Sequence, residues 1–479
     1  MLYCITMKKV LKLILVLLAV IGLSTEVHAL AVESKVYNVK DYGAVGDGKT
    51  LNTDALNKAV TACADAGGGM VLVPQGNYLS GTVVLKSNVT FYLEEDATII
   101  GTTELSQYKS LPLKLNNPKE PVMLRWENID RWTRALILLD HVENVTIAGS
   151  GTIDGASVTD PRGEEGRRGP HAIIMGNSKN IIIKDIRVTR AGNYNIMGFY
   201  IEDAKFSRLS IIEGSDGIHI RSGKNLLIEG CKFYTRDDAI AGGYWTNMLI
   251  NDCLLNTSCN GLRLIMPANG LEVKNCIISG PGVFGHYRQN SFNPVSTNTL
   301  AAFILQPGAW GGAPGRLDNV YIHDIRVRDL NTLFSFVLNE NNNSRNIRVE
   351  RVNATGINMA ACAVEAWPTD NWFEKVSFKD INITYNIKDA AILNTAEINR
   401  PRTEARPLPY WGWYARNVKQ LELTNITLNY TGNEKRPVAA FENVGSVIMN
   451  NIKYKAVKGI KPFVYKSSTK VQQTKVVAF

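Results

Sequence analysis

One short motif recurs along most of this chain. It reads Asn-h-x-h-x-x-h-x-h, where h is apolar and x is any residue, and another residue replaces the Asn in some copies. The copies begin at Asn144, Asn180, Asn225, Asn247, Gly270, Asn319, Asn346, Lys375, Gln420 and Ser446. Neighbouring copies start 22, 23, 26, 27 or 29 residues apart, or about twice that distance, except for the first two, which start 36 residues apart. A repeat of this period restricts the chain to a small set of repetitive folds.

Each copy contains two apolar runs of period two, separated by a polar pair. Period two indicates β-strands, so the unit is strand, turn, strand, and its repetition predicts a β-solenoid. A leucine-rich repeat would require a Leu-x-x-Leu-x-Leu signature that the copies lack, and a propeller blade needs ~40–50 residues. We therefore predict an all-β fold: a single-stranded right-handed parallel β-helix with coils from about residue 70 to 455.

The open end of a solenoid must be closed by a cap. Leu56, Ala59, Val60 and Cys63 follow the spacing of one helical face, after Asn52-Thr53 as a possible N-cap. This pattern predicts an N-terminal capping helix ending near residue 64, within a cap of about 36–70.

The N-terminus has the layout of a secretory signal peptide. Lys8, Lys9 and Lys12 accompany an apolar run over residues 10–23, and a small-x-small pattern ends at Ala29. The run is shorter than the ~20 apolar residues of a membrane span, although a retained anchor is the alternative. We expect residues 1–29 to be a signal peptide, residues 30–479 to form one catalytic β-helix domain, and the protein to be secreted or periplasmic.

The charge and the cysteines limit the partners. A formal net charge of +9 suits an acidic partner such as an anionic polysaccharide or oligosaccharide. Nucleic acid is not expected, because no dense Lys/Arg patch occurs, and the sequence leaves the oligomeric state open. The sequence contains no Cys-x-x-Cys pair, so a structural zinc site is not expected. Cys231, Cys253 and Cys276 share one inward position of the repeat. We predict these three as buried thiols.

Three carboxylates fall together in the repeat. Residues 215–219, 237–241 and 259–263 align at a spacing of 22 without gaps. Asp216, Asp238 and Asn260 should therefore stack at ~5 Å per coil, with Asp237 beside them. Like charges this close raise at least one pKa, and cleavage of a glycosidic bond requires a carboxyl that donates a proton and another that activates water. Asp216, Asp237 and Asp238 are the predicted catalytic residues.

The chain also resembles glycoside hydrolase family 28, the polygalacturonases and their relatives. The resemblance begins with VYNVKDYGAVGDGKTLNTDALNKAV and GGGMVLVPQGNYLSGTVVLKSNVTFYL. The family's Asn-Thr-Asp-Gly and Asp-Asp motifs match Gly214–Gly217 and Asp237-Asp238. The resemblance implies the same β-helix, with Asp237 as the general acid and Asp216 with Asp238 activating water, so that the configuration is inverted.

Two family motifs are altered in this sequence. The Gly-His-Gly motif reads Ser258-Cys259-Asn260-Gly261, and the Arg-Ile-Lys motif has only Arg263-Leu264-Ile265 as a partial match. Arg263 either keeps the arginine of the second motif or replaces the missing histidine. These departures indicate a divergent subgroup with a different sugar in its site.

Further polar residues near the carboxylates are the predicted substrate-binding set. These are His219, Arg236, Asn260, Arg263, His286 and Arg288. We expect no metal and no cofactor.

The leading prediction is a secreted glycoside hydrolase acting on an acidic, pectin-like polysaccharide. A polysaccharide lyase on the same scaffold is the first alternative, with Arg263 or His219 as base and calcium on the Asp cluster. A non-catalytic glycan-binding solenoid is the second, although clustered carboxylates would repel an acidic glycan. The sugar, the linkage and endo or exo action stay open.

Overall fold

The structure is a computed structural model that describes residues 35–113, 132–287, 293–387 and 398–479. The predicted signal peptide at 1–29 lies outside the described residues. Val36–Phe479 form one compact unit. Within the described ranges, no helix is both long and apolar enough to cross a membrane.

Nearly all regular structure of the described residues is β-strand, and these residues contain one α-helix, α1 (Thr53–Asp65). The strands are β1 (Val36–Asn38), β2 (Asp47–Leu51), β3 (Gly69–Val73), β4 (Gly76–Ser80), β5 (Val83–Leu85), β6 (Val89–Leu93), β7 (Ala97–Gly101), β8 (Ala135–Asp140), β9 (Glu143–Gly149), β10 (Thr152–Asp154), β11 (His171–Gly176), β12 (Lys179–Lys184), β13 (Arg187–Thr189), β14 (Ile196–Ser207), β15 (Ser210–Ile212), β16 (Ile218–Glu229), β17 (Lys232–Thr235), β18 (Ile240–Asn251), β19 (Leu254–Thr257), β20 (Asn260–Leu264), β21 (Ala268–Lys274), β22 (Ile277–Ser279), β23 (His286–Tyr287), β24 (Pro294–Ser296), β25 (Ala301–Leu305), β26 (Gly315–Arg316), β27 (Asp318–Leu338), β28 (Asn342–Ala360), β29 (Cys362–Ala366), β30 (Phe373–Ile387), β31 (Trp413–Gly432), β32 (Ala439–Tyr454), β33 (Phe463–Lys466) and β34 (Lys470–Ala478). Short 3-10 turns lie at Val39–Tyr42, Leu105–Gln107 and Glu164–Gly166.

The strands stack in three parallel ladders, and one coil contributes a strand segment to each. The first ladder runs from β1 through β3, β6, β9 and β12 to β34 and carries the repeat motif. The second runs from β2 through β4 and β7, and the third from β5 through β8 and β11. This pairing confirms the predicted parallel β-helix. The ladders extend at both ends beyond the predicted range of about 70–455.

The core is the continuous apolar surface inside the coils. In the first ladder, Ile183, Phe206, Ile228, Ile250 and Val273 pair in register from coil to coil and are buried. Each coil thereby buries the apolar face of its neighbour, which one coil could not do alone.

The asparagine of the motif has a local structural role. Asn180, Asn225 and Asn247 have φ between 52° and 56°, a left-handed conformation that asparagine tolerates better than most residues. Their side chains form amide ladders on the surface: Asn180 Nδ2 donates to Asn144 Oδ1 at 2.7 Å, and Asn247 Nδ2 donates to Asn225 Oδ1 at 3.2 Å. Asparagine therefore both turns the chain and links successive coils.

The predicted capping helix is confirmed as α1. It buries Leu56, Ala59, Val60 and Cys63 against β1, β3 and β5, the face that the spacing indicated. The Asn52 side chain does not cap the helix; its amide donates to the carbonyl of Val45 at 3.0 Å instead.

The predicted core cysteines are confirmed as free, buried thiols. Cys231, Cys253 and Cys276 precede β17, β19 and β22, and their Sγ atoms lie 3.1–3.4 Å from the carbonyl oxygen two residues earlier.

We expect a thiol reagent to react little with the folded protein and fully with the denatured protein, because burial blocks access to these sulfur atoms. Titration with and without denaturant, in the absence of reductant, measures this. Thiols missing from the denatured sample would contradict the structure.

Candidate active site

The turn before each strand of the third ladder carries the polar residues of the candidate site. Asp216 precedes β16, Asp238 precedes β18, and Asn260 begins β20. The Gly217 amide donates to the Asp238 carbonyl and the Ala239 amide to the Asn260 carbonyl, both at 2.9 Å. Asp216, Asp238 and Asn260 therefore occupy successive coils, which confirms the predicted alignment.

These turns open into a cavity of about 590 Å³. The carboxylate, arginine and histidine side chains of its lining are Glu164, Glu165, Asp216, Asp237, Asp238, Glu404, Arg168, Arg221, Arg263, His219 and His286. All three predicted catalytic residues face this one cavity.

Asp216 is held by a histidine behind it. His219 Nδ1 lies 2.6 Å from Asp216 Oδ2, and Arg221 Nε donates to His219 Nε2 at 3.2 Å. Because a guanidinium has no acceptor, Nε2 must accept, and the proton on Nδ1 faces Asp216. Tyr194 stacks on the imidazole with 4.9 Å between ring centroids. Burial, reinforced by the charge of Asp237, raises the pKa of Asp216 well above its usual range.

Asp237 is paired with a buried arginine. Arg168 Nη2 lies 2.8 Å from Asp237 Oδ2, and His286 Nδ1 lies 4.0 Å from Asp237 Oδ1. Burial opposes ionisation of Asp237, but Arg168, His286 and Arg263 outweigh it and hold the pKa well below its usual range. Asp237 is therefore a carboxylate over most of the pH scale.

Asp238 is in contact with both an asparagine and an arginine. Asn260 Nδ2 donates to Asp238 Oδ1 at 2.7 Å, and Arg263 Nε lies 2.9 Å from Asp238 Oδ2. Burial, with the charge of Asp237, outweighs Arg263 and Asn260 and raises the pKa of Asp238 to about 6.

The three carboxyls therefore titrate as one group of interacting sites. Arg168 keeps the negative charge on Asp237, so a proton bound by the group resides on Asp216 or Asp238. The raised pKa expected from crowding is present. It lies on Asp216 and Asp238, however, and not on Asp237, the residue for which the family resemblance implies proton donation.

Three predicted substrate-binding residues lie in the site but contact its carboxylates. His219 contacts Asp216, and both Asn260 and Arg263 contact Asp238. The side chains of His219 and Arg263 are at most 7 % exposed, so these contacts fix the positions of the predicted catalytic carboxyls.

Of the other predicted substrate-binding residues, His286 lines the same cavity, whereas Arg236 does not. Arg236 pairs with Glu213 at 2.9 Å, and His286 Nδ1 lies 3.2 Å from the carbonyl oxygen of Arg236. Arg288 lies outside the described residues.

Two residues of the site were not found from the sequence. Arg168 lies 69 residues before its partner Asp237, on a loop where it also pairs with Glu165 at 2.9 Å. Glu404 lies 141 residues after Arg263 and pairs with Nη2 of that arginine, whereas Asp238 pairs with its Nε. Neither belongs to a copy of the repeat, so the periodicity gave no signal for them.

A possible ligand set for a cation lies at the same place. The ligand atoms of Asp237, Asp238 and Cys259 lie within 4.8 Å of one another. However, Arg168 and Arg263 already pair with the two carboxylates, so a metal ion would be placed beside two guanidinium groups. The donor set does not favour a metal.

Comparison with known proteins agrees with this geometry. The family model described as rhamnogalacturonase A/epimerase, pectate lyase-like matches residues 36–280. A probable polygalacturonase of Vitis vinifera is 28% identical over 232 residues, which cover 45% of this chain and 46% of that protein. An exo-poly-alpha-D-galacturonosidase of Dickeya chrysanthemi is 26% identical over 258 residues, covering 43% and 41%. The chain thus matches about half the length of these curated relatives.

The fold is also shared with a solved enzyme structure. An exopolygalacturonase from Thermotoga maritima superposes with a TM-score of 0.60 at 18% identity, covering 82% of this chain and 92% of that one. The family match covers the capping helix, every coil from β1 to β22 and all three carboxylates. The resemblance to polygalacturonases is thereby confirmed, and the chain belongs to the rhamnogalacturonase A/epimerase, pectate lyase-like family.

Proposed function

We propose that this protein is a secreted or periplasmic glycoside hydrolase that cleaves an acidic, pectin-like polysaccharide with inversion of configuration. The observation that carries the proposal is the grouping of Asp216, Asp237 and Asp238 around one cavity, each in a different electrostatic environment. Hydrolysis of a glycosidic bond needs carboxyls in different protonation states on either side of that bond.

The proposed roles place Asp237 as the proton donor and Asp216 with Asp238 as the residues that activate water. Donation requires a proton on Asp237, which Arg168 opposes. Arg168 must therefore leave Asp237 when substrate binds, and a substrate carboxylate is a suitable new partner for its guanidinium. Without that cation, the pKa of Asp237 rises and the shared proton can move to it.

The same contacts weigh against a lyase. A lyase needs a base that is free to remove a proton from the sugar. His219 has its Nδ1 directed at Asp216 and its Nε2 at Arg221, while Arg263 pairs with both Asp238 and Glu404. Both candidate bases are thus engaged by protein partners, which supports hydrolysis.

A screen on defined pectic oligosaccharides tests the proposal. The purified protein is incubated with homogalacturonan and rhamnogalacturonan fragments, and products are read as new reducing ends and as ultraviolet absorbance. We expect reducing ends without absorbance, and proton NMR should show the inverted anomer first. Products that absorb in the ultraviolet would establish the lyase. The absence of product from every fragment would contradict the proposed action on pectin.

The pH dependence offers a second prediction. In the proposed roles one proton is shared by the three carboxyls and moves to Asp237 when substrate binds. A second proton would neutralise Asp238, so activity should fall as the pH drops through the pKa of about 6 of this carboxyl. Arg263→Gln removes a cation that stabilises this carboxylate, which raises the pKa of Asp238 further. We expect the acid limb of kcat/KM to move to higher pH.

The measurement is a pH profile of kcat/KM for the wild type and the variant. Arg348→Gln is the matched control, because Arg348 lies on the first ladder and is about half exposed. An unchanged acid limb in Arg263→Gln would show that Asp238 does not govern it.

A further inference from the structure

A second, smaller cavity lies beside the catalytic one. It measures about 220 Å³, and its lining includes Ser157, Thr159, Arg167, Ser215, Arg236 and Tyr287. Among the described residues, two arginines and no carboxylate line it, whereas six acidic side chains line the catalytic cavity. The two cavities therefore differ in the sign of their charge.

Arg167 is a buried cation that forms no ion pair with any described carboxylate. The residue is 8% exposed, and its Nε atom is buried without a hydrogen-bond partner. In the described part of the chain, no carboxylate forms an ion pair with it, while the neighbouring Arg168 pairs with three. Burial, followed by repulsion from Arg168, lowers the pKa of Arg167. A buried charge without a partner is costly for the fold, so this arginine needs another explanation.

A tyrosine and a second arginine complete the pocket. The guanidinium carbons of Arg167 and Arg236 lie 3.9 Å and 4.7 Å from the centroid of the Tyr287 ring. Arg236 is fixed from behind, because it donates to the Gly285 carbonyl at 3.0 Å and to Glu213 at 2.9 Å. Both arginines line the cavity, whereas Glu213 does not.

The chain places this pocket next to the reacting bond. Arg167 precedes Arg168, which holds Asp237; Arg236 precedes Asp237 itself; and Ser215 precedes Asp216. In each case one residue lines the small cavity and the next lines the catalytic cavity. A ligand group in the small pocket would thus belong to the sugar adjacent to the one at the carboxylates.

We propose that Arg167 and Arg236 form a subsite for the carboxylate of a uronic acid residue adjacent to the scissile bond. The inference rests on the proposed action on a polysaccharide and specifies where its negative charge is recognised. Guanidinium groups bind carboxylates through paired hydrogen bonds, and the hydroxyls of Ser157, Thr159 and Ser215 suit sugar hydroxyls. Arg263, the arginine expected to bind the anion, is already neutralised by Asp238 and Glu404.

The test measures binding separately from turnover. Trigalacturonate and its carboxyl-reduced, neutral counterpart are titrated calorimetrically into the intact protein in an Asp237→Asn background. Adding Arg167→Gln should raise the Kd for trigalacturonate by ~10-fold or more, the loss expected for a hydrogen bond to a charged group. The Kd for the neutral trisaccharide should change little, and Arg236→Gln should show the same selectivity.

Two controls separate the proposal from its alternatives. Arg348→Gln should bind both ligands as the parent does. Arg167→Gln should leave the Tm unchanged or raise it, because removing Arg167 leaves no carboxylate without an ion-pair partner. Equal effects of Arg167→Gln on the charged and neutral ligands, or none on either, would overturn the subsite. If Arg167→Gln weakens the binding of trigalacturonate only, but the wild type turns over no pectic substrate, the proposed hydrolase is refuted and the subsite is not.

Discussion

Asp237→Asn is expected to lower kcat on the natural polymer by ~10²–10⁴-fold, the usual contribution of a general acid. Substrate binding should be largely retained, because the variant keeps the shape of the side chain. The loss should be smaller on a glycoside whose leaving group departs without a proton. Asp216→Asn should instead reduce turnover of both substrates equally, because the water must be activated in either case. Initial rates on the polymer and on an activated aryl glycoside measure the difference.

Asp238→Asn decides between two carboxyls, since burial raises the pKa of Asp238 to about 6 whereas Arg168 holds the pKa of Asp237 well below its usual range. If only the Asp238 variant is rescued by the activated leaving group, Asp238 is the donor and the implied role of Asp237 is wrong. Asp370→Asn, in an exposed turn, is the control for a neutralised aspartate. If Asp237→Asn keeps nearly normal rates while His219→Ala or Arg263→Ala abolishes them, the hydrolase proposal fails and the lyase replaces it.

Arg436→Leu is expected to lower the free energy of unfolding by ~3–5 kcal/mol, the cost of leaving one member of a buried ion pair alone. Arg436 donates to both carboxylate oxygens of Glu434, at 2.8 Å and 2.7 Å, and to the Leu408 carbonyl at 2.9 Å. Both side chains are almost inaccessible, at 2% and 0% exposed. The pair thus joins the last coils to the segment that also carries Glu404.

Denaturant unfolding of the wild type and the variant measures this change. The double variant Arg436→Met with Glu434→Leu removes both charges and should be more stable than Arg436→Leu alone, because no isolated charge remains buried. Arg348→Leu, on a half-exposed surface, is the control. A single variant as stable as the wild type would show that water reaches Glu434.

The repeat allowed the fold and the centre of the site to be predicted because a β-helix converts sequence spacing directly into spatial contact. A spacing of 22 residues places Asp216, Asp238 and Asn260 on successive coils, and the structure has that register. Arg221 was within reach of the same reasoning, since it lies two residues after His219 in β16 and therefore on the same face. Following the alternation of side chains along that strand from His219 to the next residue on the same face would have placed Arg221 in the site.

The residues that set the charge state of the site could not be predicted in this way. Arg168 and Glu404 come from segments between the strands, whose course depends on tertiary contacts and not on the period of the ladder. Their distances along the chain from Asp237 and Arg263, 69 and 141 residues, have no relation to the repeat. The sequence pattern therefore located the carboxylates but not the cations that decide which of them carries the proton.

The stacking of the three ladders has a consequence for how such a site can change during evolution. Backbone hydrogen bonds hold equivalent residues of successive coils ~4.7–4.9 Å apart, whatever their side chains. His219, Ala241 and Arg263 pair in register in this way, so each can be exchanged without displacing the other two. The ladder therefore keeps a fixed spacing between positions of the site, so that one position can be substituted at a time while the neighbouring loops adjust the charge.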